Sequence, residues 1–468
     1  MGSTSASDRT PAHTRQRLSG WGRTAPTVAT VAVPRDAAAV AELVAGRAAG
    51  ARGVIGRGLG RCYGDAAQSA GGVVVSTRAL VDIALDPATG VAEVGAGASL
   101  DALLRLSVPQ GWFVPVTPGT RFVTVAGAIA ADVHGKNHHV DGTFGGHVRW
   151  IELVDGNGAV HRLAPSGEPA GSAAFWATVG GLGLTGVITR AAIQLRPVRS
   201  AWMAVHTERA PTLALLMDRL REHDRRYRYT VAWIDALATG PAAGRGVLTS
   251  GEHADGDAVR ALGVADALAY HPTVRLVAPS LPASAVRRPS ARAFDALWYR
   301  TAAPRPRGTL ERLERFFHPL DGVRGWNRLY GPVGFLQYQI VVPDDREDLI
   351  ELALRRVSAA GPAFLGVLKR FGAQGRAPLS FPRPGWTLAV DVPAPSRAAA
   401  ADLLATTLDR LDDVVAAAGG AVYLVKDARC RPDLVRAMYP RLGDWQAVRD
   451  RLDPDRRFAS DLSRRLGL

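Results

Sequence analysis

Short apolar segments alternate with helical repeats between Trp21 and Arg199. A helix is predicted over Ala37–Ala49, and strands are predicted at Gly53–Gly56, Val73–Ser76, Val91–Gly95 and Trp150–Asp155. Glycines mark the turns between these elements. The pattern therefore predicts a domain in which short strands and helices alternate.

Longer strands with polar and aromatic residues begin near Ala201. The strands predicted here are Tyr227–Ile234, Gly334–Val342 and Trp386–Val392, and the amphipathic helices are Glu347–Ala359 and Arg397–Ala418. After Gly419 the pattern returns to a strand at Ala421–Val425 and a helix at Arg431–Met438. This change in character predicts a second domain.

Two segments lack a periodic pattern. Residues 1–16 are small and polar and are predicted to be disordered. Residues 271–292, HPTVRLVAPSLPASAVRRPSAR, are basic and rich in proline and serine, with apolar residues interspersed. A loop of this length is usually functional or disordered, so residues 271–292 are predicted to form a mobile loop.

The composition is that of a folded protein with two or three domains, because the 468 residues are 47% apolar and 21% charged. The 57 basic residues exceed the 43 acidic ones, which favours an anionic partner such as nucleic acid, a membrane surface or a phosphorylated substrate. Cys62 and Cys430 are the only cysteines, which excludes a disulfide framework. Neither a secretory signal pattern nor an apolar run of ~18 residues is found, so we expect a soluble or peripherally attached protein.

The segment GRGLGRCYGD, residues 56–65, combines four glycines and two arginines after an apolar strand. It differs from the G-x-G-x-x-G motif and lacks the Lys-Ser/Thr of a P-loop, so by itself it is a weak signal for an anion site. Two further small-residue segments follow at Thr117–Ala130 and Val179–Ile188. Several such segments predict a long ligand lying against backbone amides, and a dinucleotide with a flavin ring fits that description.

These segments, with PGTRFVTVAGAIAADVHGKNHH, FWATVGGLGLTGVI, GPVGFLQYQ and VKDAR, resemble the decaprenylphosphoryl-β-D-ribose oxidases, the flavin subunits of decaprenylphosphoryl-ribose 2′-epimerases. That family lies within the vanillyl-alcohol-oxidase-type FAD superfamily, and the resemblance runs from Leu18 to Arg465. It implies an α+β fold with a vanillyl-alcohol-oxidase/PCMH-type FAD-binding domain, formed by residues 17–199 and 421–468. It also implies an antiparallel-sheet substrate-binding domain over residues 200–420.

The resemblance implies that FAD contacts the glycine-rich segments. The residues expected to contact it are Gly56, Arg57, Gly58, Leu59, Gly60, Arg61, Cys62, Tyr63, Gly64, Asp65, Ala66, Gly119, Thr124, Val125, Ala126, Gly127, Ala131, Asp132, Val133, His134, Ile188 and Tyr423. Ala126 departs from the family, where glycine is usual. Arg61 stands about where relatives with covalent flavin have histidine, so we expect non-covalent FAD. The alternative is a covalent link between FAD and Cys62. Cys62 can also be interpreted as a small residue in a tight loop, without a link to FAD.

Oxidation of a secondary alcohol moves a hydride to flavin N5 while the hydroxyl proton leaves. The site therefore needs a proton acceptor or relay, and cations for an anionic substrate. The resemblance favours His134 and Lys426 as catalytic residues and Lys136 as a substrate-binding residue near the flavin edge. Lys426 follows the apolar strand AVYLV, where it either pairs with Asp427 or faces an anion.

The histidines allow a metal site as an alternative. His134, His138 and His139 could combine with Asp132 or Asp141. Their spacing matches no standard metal site, and flavin chemistry needs no metal. No metal is therefore expected.

Gln337 and Gln339 lie two residues apart and share one face of a predicted strand. This face is either a solvated surface or, as the resemblance implies, the wall of a sugar pocket. The other residues expected to bind substrate are Lys369, Thr387, Ala389, Trp233 and Phe317. Ala389 stands where many relatives have the cysteine that nitroaromatic covalent inhibitors trap, so we expect intact catalysis without covalent inhibition.

The resemblance implies oxidation of the 2′-hydroxyl of decaprenylphosphoryl-β-D-ribose to a 2′-keto intermediate. This is the first half of epimerisation to decaprenylphosphoryl-arabinose for cell-wall arabinan. The expected partners are an NADH-dependent short-chain keto-reductase and the surface of the inner membrane, on a side that the sequence does not decide. The alternative is an FAD oxidase of a soluble alditol or sugar acid that produces hydrogen peroxide. A basic binding protein for nucleic acid or membrane is the third possibility, but no zinc finger, RNP-type motif or basic helix is found.

Overall fold

The described residues form fourteen α-helices, three larger sheets and two pairs of short strands. The computed structural model describes residues 13–46, 52–302 and 304–468, and elements are numbered along the chain. The helices are α1 (Ala37–Ala45), α2 (Leu100–Ser107), α3 (Val125–Ala130), α4 (His138–Asp141), α5 (Pro169–Thr178), α6 (Leu213–Asp224), α7 (Gly256–Arg260), α8 (Arg288–Thr301), α9 (Leu313–Phe317), α10 (Asp348–Ala360), α11 (Ala398–Ala417), α12 (Pro432–Met438), α13 (Leu442–Leu452) and α14 (Asp461–Leu466).

Two of the larger sheets come from the N-terminal part of the chain. The four-stranded sheet has the order β1 (His13–Leu18), β2 (Thr27–Ala32), β4 (Val73–Ser76) and β3 (Val54–Arg57). The five-stranded sheet has the order β5 (Ile83–Leu85), β6 (Val91–Gly95), β10 (Val187–Gln194), β8 (Val148–Val154) and β9 (Val160–Leu163), and β7 (Trp112–Phe113) pairs separately with β11 (Arg196–Pro197). Strands β2, β4 and β3 run parallel, and the glycine-rich segment leaves the carboxyl end of β3.

The third sheet has eight strands, and every neighbouring pair in it is antiparallel. Its order is β16 (Arg305–Arg312), β12 (Trp202–Ala210), β14 (Gly246–His253), β13 (Tyr229–Ile234), β19 (Phe364–Phe371), β20 (Gly385–Pro393), β18 (Phe335–Val342) and β21 (Ala421–Val422). A parallel pair, β15 (Leu276–Val277) and β17 (Val323–Arg324), stands apart from it. The predicted α+β class is confirmed.

The C-terminal helices return to the N-terminal sheets. Phe458 bridges Val54 of β3, and the indole of Trp445 donates a hydrogen bond of 3.0 Å to the carbonyl of Ala177. The sequence predicts that this returning segment begins at residue 421. Ala421–Val422 instead pairs with β18, so the chain leaves the eight-stranded sheet only after Val422.

Two predicted boundaries near the N-terminus differ from the structure. Residues 13–16 were expected to be disordered, but His13–Leu18 forms β1 because its backbone pairs in register with Thr27–Ala32. Helix α1 begins as predicted, since the Asp36 carboxylate accepts the N–H of Ala39 at 2.8 Å, but it ends at Ala45. Residues 47–49 of the predicted helix lie outside the described residues.

Two boundaries beyond residue 270 also differ. The predicted strand Ala421–Val425 ends at Val422, because the N–H of Lys426 donates to the carbonyl of Tyr423 at 2.9 Å and closes a turn. Lys426 therefore lies in a turn rather than at a strand end. The predicted loop 271–292 contains the short strand β15 and the first turn of α8, which has Pro289 in the first helical turn, where its missing N–H is not needed.

Candidate active site

A cavity of about 330 Å³ lies between the glycine-rich segments and one face of the eight-stranded sheet. Its glycine side includes residues 56–63, Gly119, Thr124, Ala126, Gly127, Gly183 and Gly186. Its sheet side includes Gln337, Gln339, Val367, Lys369, Thr387 and Ala389, and the turn residues Tyr423, Val425 and Lys426 close one wall. Residues far apart in sequence thus meet around one space.

The strand register explains why the polar side chains share one face. Gln337 and Gln339 on β18 lie opposite Asp391 and Ala389 on β20. Strand β20 also pairs with β19, and there Lys369 of β19 lies opposite Thr387 of β20. Because directly opposed residues on neighbouring strands point to the same side, these side chains form one polar surface.

The glycine side has the features that a phosphate-containing cofactor requires. The backbone N–H groups of Leu59, Gly60 and Arg61 donate to no acceptor among the residues that the structure describes. A Cβ at Gly58 would collide with the side chain of Thr124, and one at Gly119 would project into open space at the cavity wall. Free amides and the absence of side chains form a cradle for a pyrophosphate, so these residues fit FAD.

His134 is a buried imidazole at the junction between the two sides of the cavity. Its Nε2 lies 3.2 Å from the amide nitrogen of Gln339, while Nδ1 is buried without a partner among the described residues. Burial, and then the positive charge of Lys369, lowers the pKa of His134 well below its usual value. The ring is therefore neutral at neutral pH and offers one free nitrogen to a bound group.

Only three of the 57 basic residues are lysines, and all three lie at or beside this cavity. Burial lowers the pKa of Lys369 to about 8 and that of Lys426 to about 7, and both side chains line the cavity. Burial also lowers the pKa of Lys136 to about 7, with a contribution from the charge of Lys369. This rarity of lysine in an arginine-rich chain is a sequence signal that the sequence analysis did not use.

Lys426 is half-buried and Asp391 is buried, and the charge of each affects the pKa of the other. The ammonium of Lys426 lies 3.7 Å from the ring centroid of Tyr63, and the carboxylate of Asp391 accepts the amide N–H of Gln337 at 2.6 Å. Burial raises the pKa of Asp391, while the charge of Lys426 opposes that shift. Lys426 can therefore hold or release a proton near neutral pH.

The glycine-rich segment and the turn of Lys426 are joined into one unit. The N–H of Tyr63 donates to the carbonyl of Val425 at 3.1 Å, and Gly64 lies so close to the carbonyl of Asp427 that a Cβ would collide with it. Arg465 of α14 bridges the two parts, with 2.8 Å to Asp65 and 2.9 Å to Asp427. A cofactor held by the segment is thereby positioned relative to Lys426.

Three residues expected to bind substrate do not line the cavity. The ammonium of Lys136 donates a hydrogen bond to the carbonyl of Phe316 and lies over the Phe316 ring. Trp233 packs its ring against Trp298 of α8, at a centroid distance of 6.4 Å. Phe317 lies on α9 inside an aromatic cluster, 4.9 Å from the ring of Tyr229.

Four residues expected to contact FAD have structural roles away from the cavity wall. The carboxylate of Asp65 accepts a hydrogen bond from Arg465. The backbone at Gly64 lies so close to the carbonyl of Asp427 that only glycine fits there. Val125 is fully buried in the core. Asp132 accepts hydrogen bonds from the Gly145 N–H and the Ser380 hydroxyl and so fixes the backbone next to His134.

Several lining residues were not named by the sequence analysis. They are Trp21, Ala67, Thr77, Pro118, Thr120, Val123, Ala130, Thr178, Leu182, Gly183, Gly186, Val187, Leu320, Trp326, Val367 and Val425. Gly183, Gly186 and Val187 belong to the third small-residue segment, so a signal for them was present. Trp21 and Trp326 form an edge-to-face pair with ring centroids 5.7 Å apart, and no local pattern predicts that contact.

Two features known from other proteins are missing from the described residues. No group of histidine, cysteine and acidic side chains in the described part of the chain is arranged to hold a metal ion. No helix among the described residues has the length and apolar character needed to cross a bilayer.

Comparisons with known proteins agree with this arrangement. A family model described as an FAD binding domain matches residues 28–164. Decaprenylphosphoryl-β-D-ribose oxidase from Mycolicibacterium smegmatis is 42% identical over 464 residues, covering 97% of this chain and 98% of that protein. Alditol oxidase from a Streptomyces species is 29% identical over 138 residues, covering 29% of this chain and 32% of that protein. Cytokinin dehydrogenase 8 from Oryza sativa subsp. indica is 32% identical over 160 residues, covering 31% of this chain and 30% of that protein.

The first of these similarities extends over both the glycine-rich segments and the eight-stranded sheet, since it covers nearly the whole chain. The FAD-binding match lies within the part that supplies the glycine cradle. The predicted resemblance and the predicted cofactor, FAD, are confirmed. The chain belongs to the decaprenylphosphoryl-β-D-ribose oxidase family and is an FAD-dependent oxidoreductase.

Proposed function

We propose that this protein oxidises the 2′-hydroxyl of decaprenylphosphoryl-β-D-ribose to the 2′-keto product, as the first half of an epimerisation that serves cell-wall arabinan synthesis. The observation that carries this proposal is the nearly full-length similarity to a protein of that name, combined with the polar sheet face opposite the glycine cradle. Lys369 on this face supplies a positive charge that suits an anionic sugar phosphate. A separate NADH-dependent short-chain keto-reductase would consume the ketone.

Five polar residues at the cavity have proposed parts in this reaction. FAD, when bound, supplies the acceptor for the hydride that leaves the C2′ carbon. Lys426 takes the hydroxyl proton, because its lowered pKa leaves a large neutral fraction at neutral pH. His134 is a weaker candidate for the proton acceptor, since its pKa is far lower. Gln339, Thr387 and Lys369 hold the sugar phosphate in position.

A soluble alditol is the second candidate substrate. A partial similarity to alditol oxidase favours it, but that similarity covers only 29% of this chain. Such an oxidase would pass electrons to oxygen and release hydrogen peroxide. The two candidates therefore differ in both substrate and product.

An anaerobic titration of the purified protein tests the proposed function. We expect a yellow protein whose FAD is released by denaturation, because Arg61 cannot be alkylated by the flavin and burial raises the pKa of the Cys62 thiol, which keeps it unreactive. A short-chain polyprenylphosphoryl-β-D-ribose should bleach the oxidised flavin absorbance, whereas free ribose and alditols should not. Bleaching by an alditol alone, with peroxide formed in air, would favour the second candidate.

Replacement of Asp391 by asparagine should move the acid limb of the pH–rate profile to lower pH. The Asp391 carboxylate raises the pKa of Lys426, so its removal lowers that pKa and keeps Lys426 neutral in more acidic solution. The measurement is the rate of flavin reduction by stopped flow at saturating substrate. The pH range of roughly 5.5 to 9 brackets the pKa of Lys426, which is about 7. Asp412→Asn is the matched control, because Asp412 is buried against Tyr338 outside the cavity. An unmoved limb in Asp391→Asn would contradict the coupling.

Ala389 should make this protein resistant to covalent attachment of nitroaromatic inhibitors. A methyl group cannot form the thioether that cysteine forms, and Ala389 lies on the cavity wall. Ala389→Cys should gain an adduct that intact-protein mass spectrometry detects after turnover with the inhibitor, while the unaltered protein should show none. An adduct on the unaltered protein at any cavity residue would contradict this expectation.

The remaining expectations belong to this proposal as well. Residues 17–199 and the returning C-terminal segment form the FAD-binding unit, and the part between them binds substrate. The protein acts at the surface of the inner membrane, where a polyprenyl chain would be anchored. The basic charge of +14 supports that location through attraction to anionic lipid.

A further inference from the structure

Helix α8 is poorly covered by the rest of the protein. Of its fourteen residues only Ala291 and Asp295 are buried. Phe294, Leu297 and Trp298 are 42%, 62% and 46% exposed, and their spacing of three and four residues places them on one face. The rings of Phe294 and Trp298 stack with their centroids 6.3 Å apart, so these two exposed side chains form one apolar surface. Exposed apolar surface of this kind marks an interaction site.

The chain segment that contains this face is strongly basic. Residues 271–310 contain seven arginines and one acidic residue, Asp295, which is buried. Arg292 and Arg300 lie on α8 itself and are exposed. A helix with aromatic and leucine side chains on one face and arginines beside them has the composition of a helix that lies in a membrane interface.

The apolar face is connected to the wall of the cavity. Trp298 packs against Trp233, with ring centroids 6.4 Å apart. Trp233 of β13 lies opposite Val367 of β19, and Val367 lines the cavity. The exposed face is thus separated from the substrate side of the cavity by one layer of side chains. A substrate whose lipid part remains in a bilayer needs a short distance between the bilayer surface and the cavity that binds its sugar.

We propose that the face formed by Phe294, Leu297 and Trp298 docks on an anionic lipid bilayer and brings the cavity to the membrane surface. This inference rests on the proposed function, because a lipid-linked substrate gives the docking its purpose. The absence of exposed acidic residues between 271 and 310 favours anionic phospholipid over a protein partner, since lipid headgroups supply the negative charge that the arginines require.

The test is sedimentation of the FAD-loaded full-length protein with vesicles of about three parts phosphatidylcholine to one part phosphatidylglycerol, an anionic surface of the required kind. The protein should sediment with these vesicles, and less with pure phosphatidylcholine. Leu297→Glu should weaken binding about tenfold, because it puts a charge on the inserted face. The double variant Arg292→Gln/Arg300→Gln should bind the anionic vesicles more weakly, by about fivefold for each arginine removed. Val160→Glu, on β9 of the five-stranded sheet, is the matched exposed control and should bind normally.

The flavin spectrum and the melting temperature of each variant establish that folding is intact. Failure of the unaltered protein to bind either vesicle, or equal binding by Leu297→Glu, would overturn the proposal. A change in oligomeric state of Leu297→Glu without a change in vesicle binding would also overturn it, in favour of a protein–protein contact. Bleaching of the flavin by the short-chain substrate in solution is measured separately, so failed docking and a wrong substrate give different results.

Discussion

Replacement of Lys426 by methionine should slow flavin reduction by the substrate about a thousandfold while FAD remains bound. Lys426 lines the cavity, and its lowered pKa makes it the group best able to take a proton at neutral pH. Methionine preserves the length and much of the volume of the side chain but has no amine. The rate constant at saturating substrate, measured anaerobically by stopped flow, separates this loss from a loss of affinity.

Lys136→Met provides the matched control for this prediction. Lys136 is also a half-buried lysine whose pKa burial lowers, but its ammonium donates a hydrogen bond to the carbonyl of Phe316 and its side chain does not line the cavity. Its replacement should cost about 1–3 kcal/mol of unfolding free energy and leave the rate within about threefold. Equal rate losses in the two variants would show that Lys426 has no special part in the reaction.

Replacement of Arg465 by methionine should destabilise the protein by about 2–4 kcal/mol and weaken FAD binding at the same time. Its guanidinium contacts Asp65 of the glycine-rich segment and Asp427 beside the Lys426 turn, and both carboxylates are largely buried. Without the arginine, two neighbouring carboxylates repel each other and lose their main cation. The segment and the turn then separate, so the FAD cradle opens.

Chemical denaturation and titration of the apoprotein with FAD measure the two effects of Arg465→Met. Arg436→Met on α12 serves as the control, since Arg436 is exposed. It should change the unfolding free energy by less than about 0.5 kcal/mol. A variant of Arg465 that loses stability but binds FAD with unchanged affinity would contradict the positioning role.

The strands of the cavity wall could be predicted from the sequence because their pattern is local. Alternation in FLQYQIVV and GWTLAVDVP predicts β18 and β20 to within one residue, and the two-residue spacing predicts that Gln337 and Gln339 share a face. The glycine-rich segments could be recognised for the same reason, since a missing side chain is visible in the sequence.

The position of Lys426 could not be predicted in the same way. The apolar run AVYLV reads as a strand of five residues, but the strand ends after two. The N–H of Tyr423 still donates to the carbonyl of Gln339 on β18 at 3.0 Å, but the N–H of Lys426 donates to the carbonyl of Tyr423 at 2.9 Å and closes a turn. Sequence periodicity reports which residues are apolar and does not report where a neighbouring strand stops.

Trp233 and Phe317 illustrate a second limit of sequence reasoning. Both are aromatic residues within the eight-stranded region, and both were expected at the substrate. Trp233 packs on α8 and Phe317 packs in the cluster around Tyr229, because neighbouring helices cover those parts of the sheet. Which helix covers which part of a sheet depends on connections between elements that lie far apart in the chain.

The scarcity of lysine directs ordinary amine chemistry to the cavity and its immediate surroundings. Apart from the α-amino group, every primary amine of the chain belongs to Lys136, Lys369 or Lys426. Their lowered pKa values keep a substantial fraction in the uncharged, nucleophilic form at neutral pH. A small acylating reagent therefore modifies the cavity region even though it does not bind there specifically. The number of lysines that bound substrate protects from acylation reports how many of these amines the substrate covers.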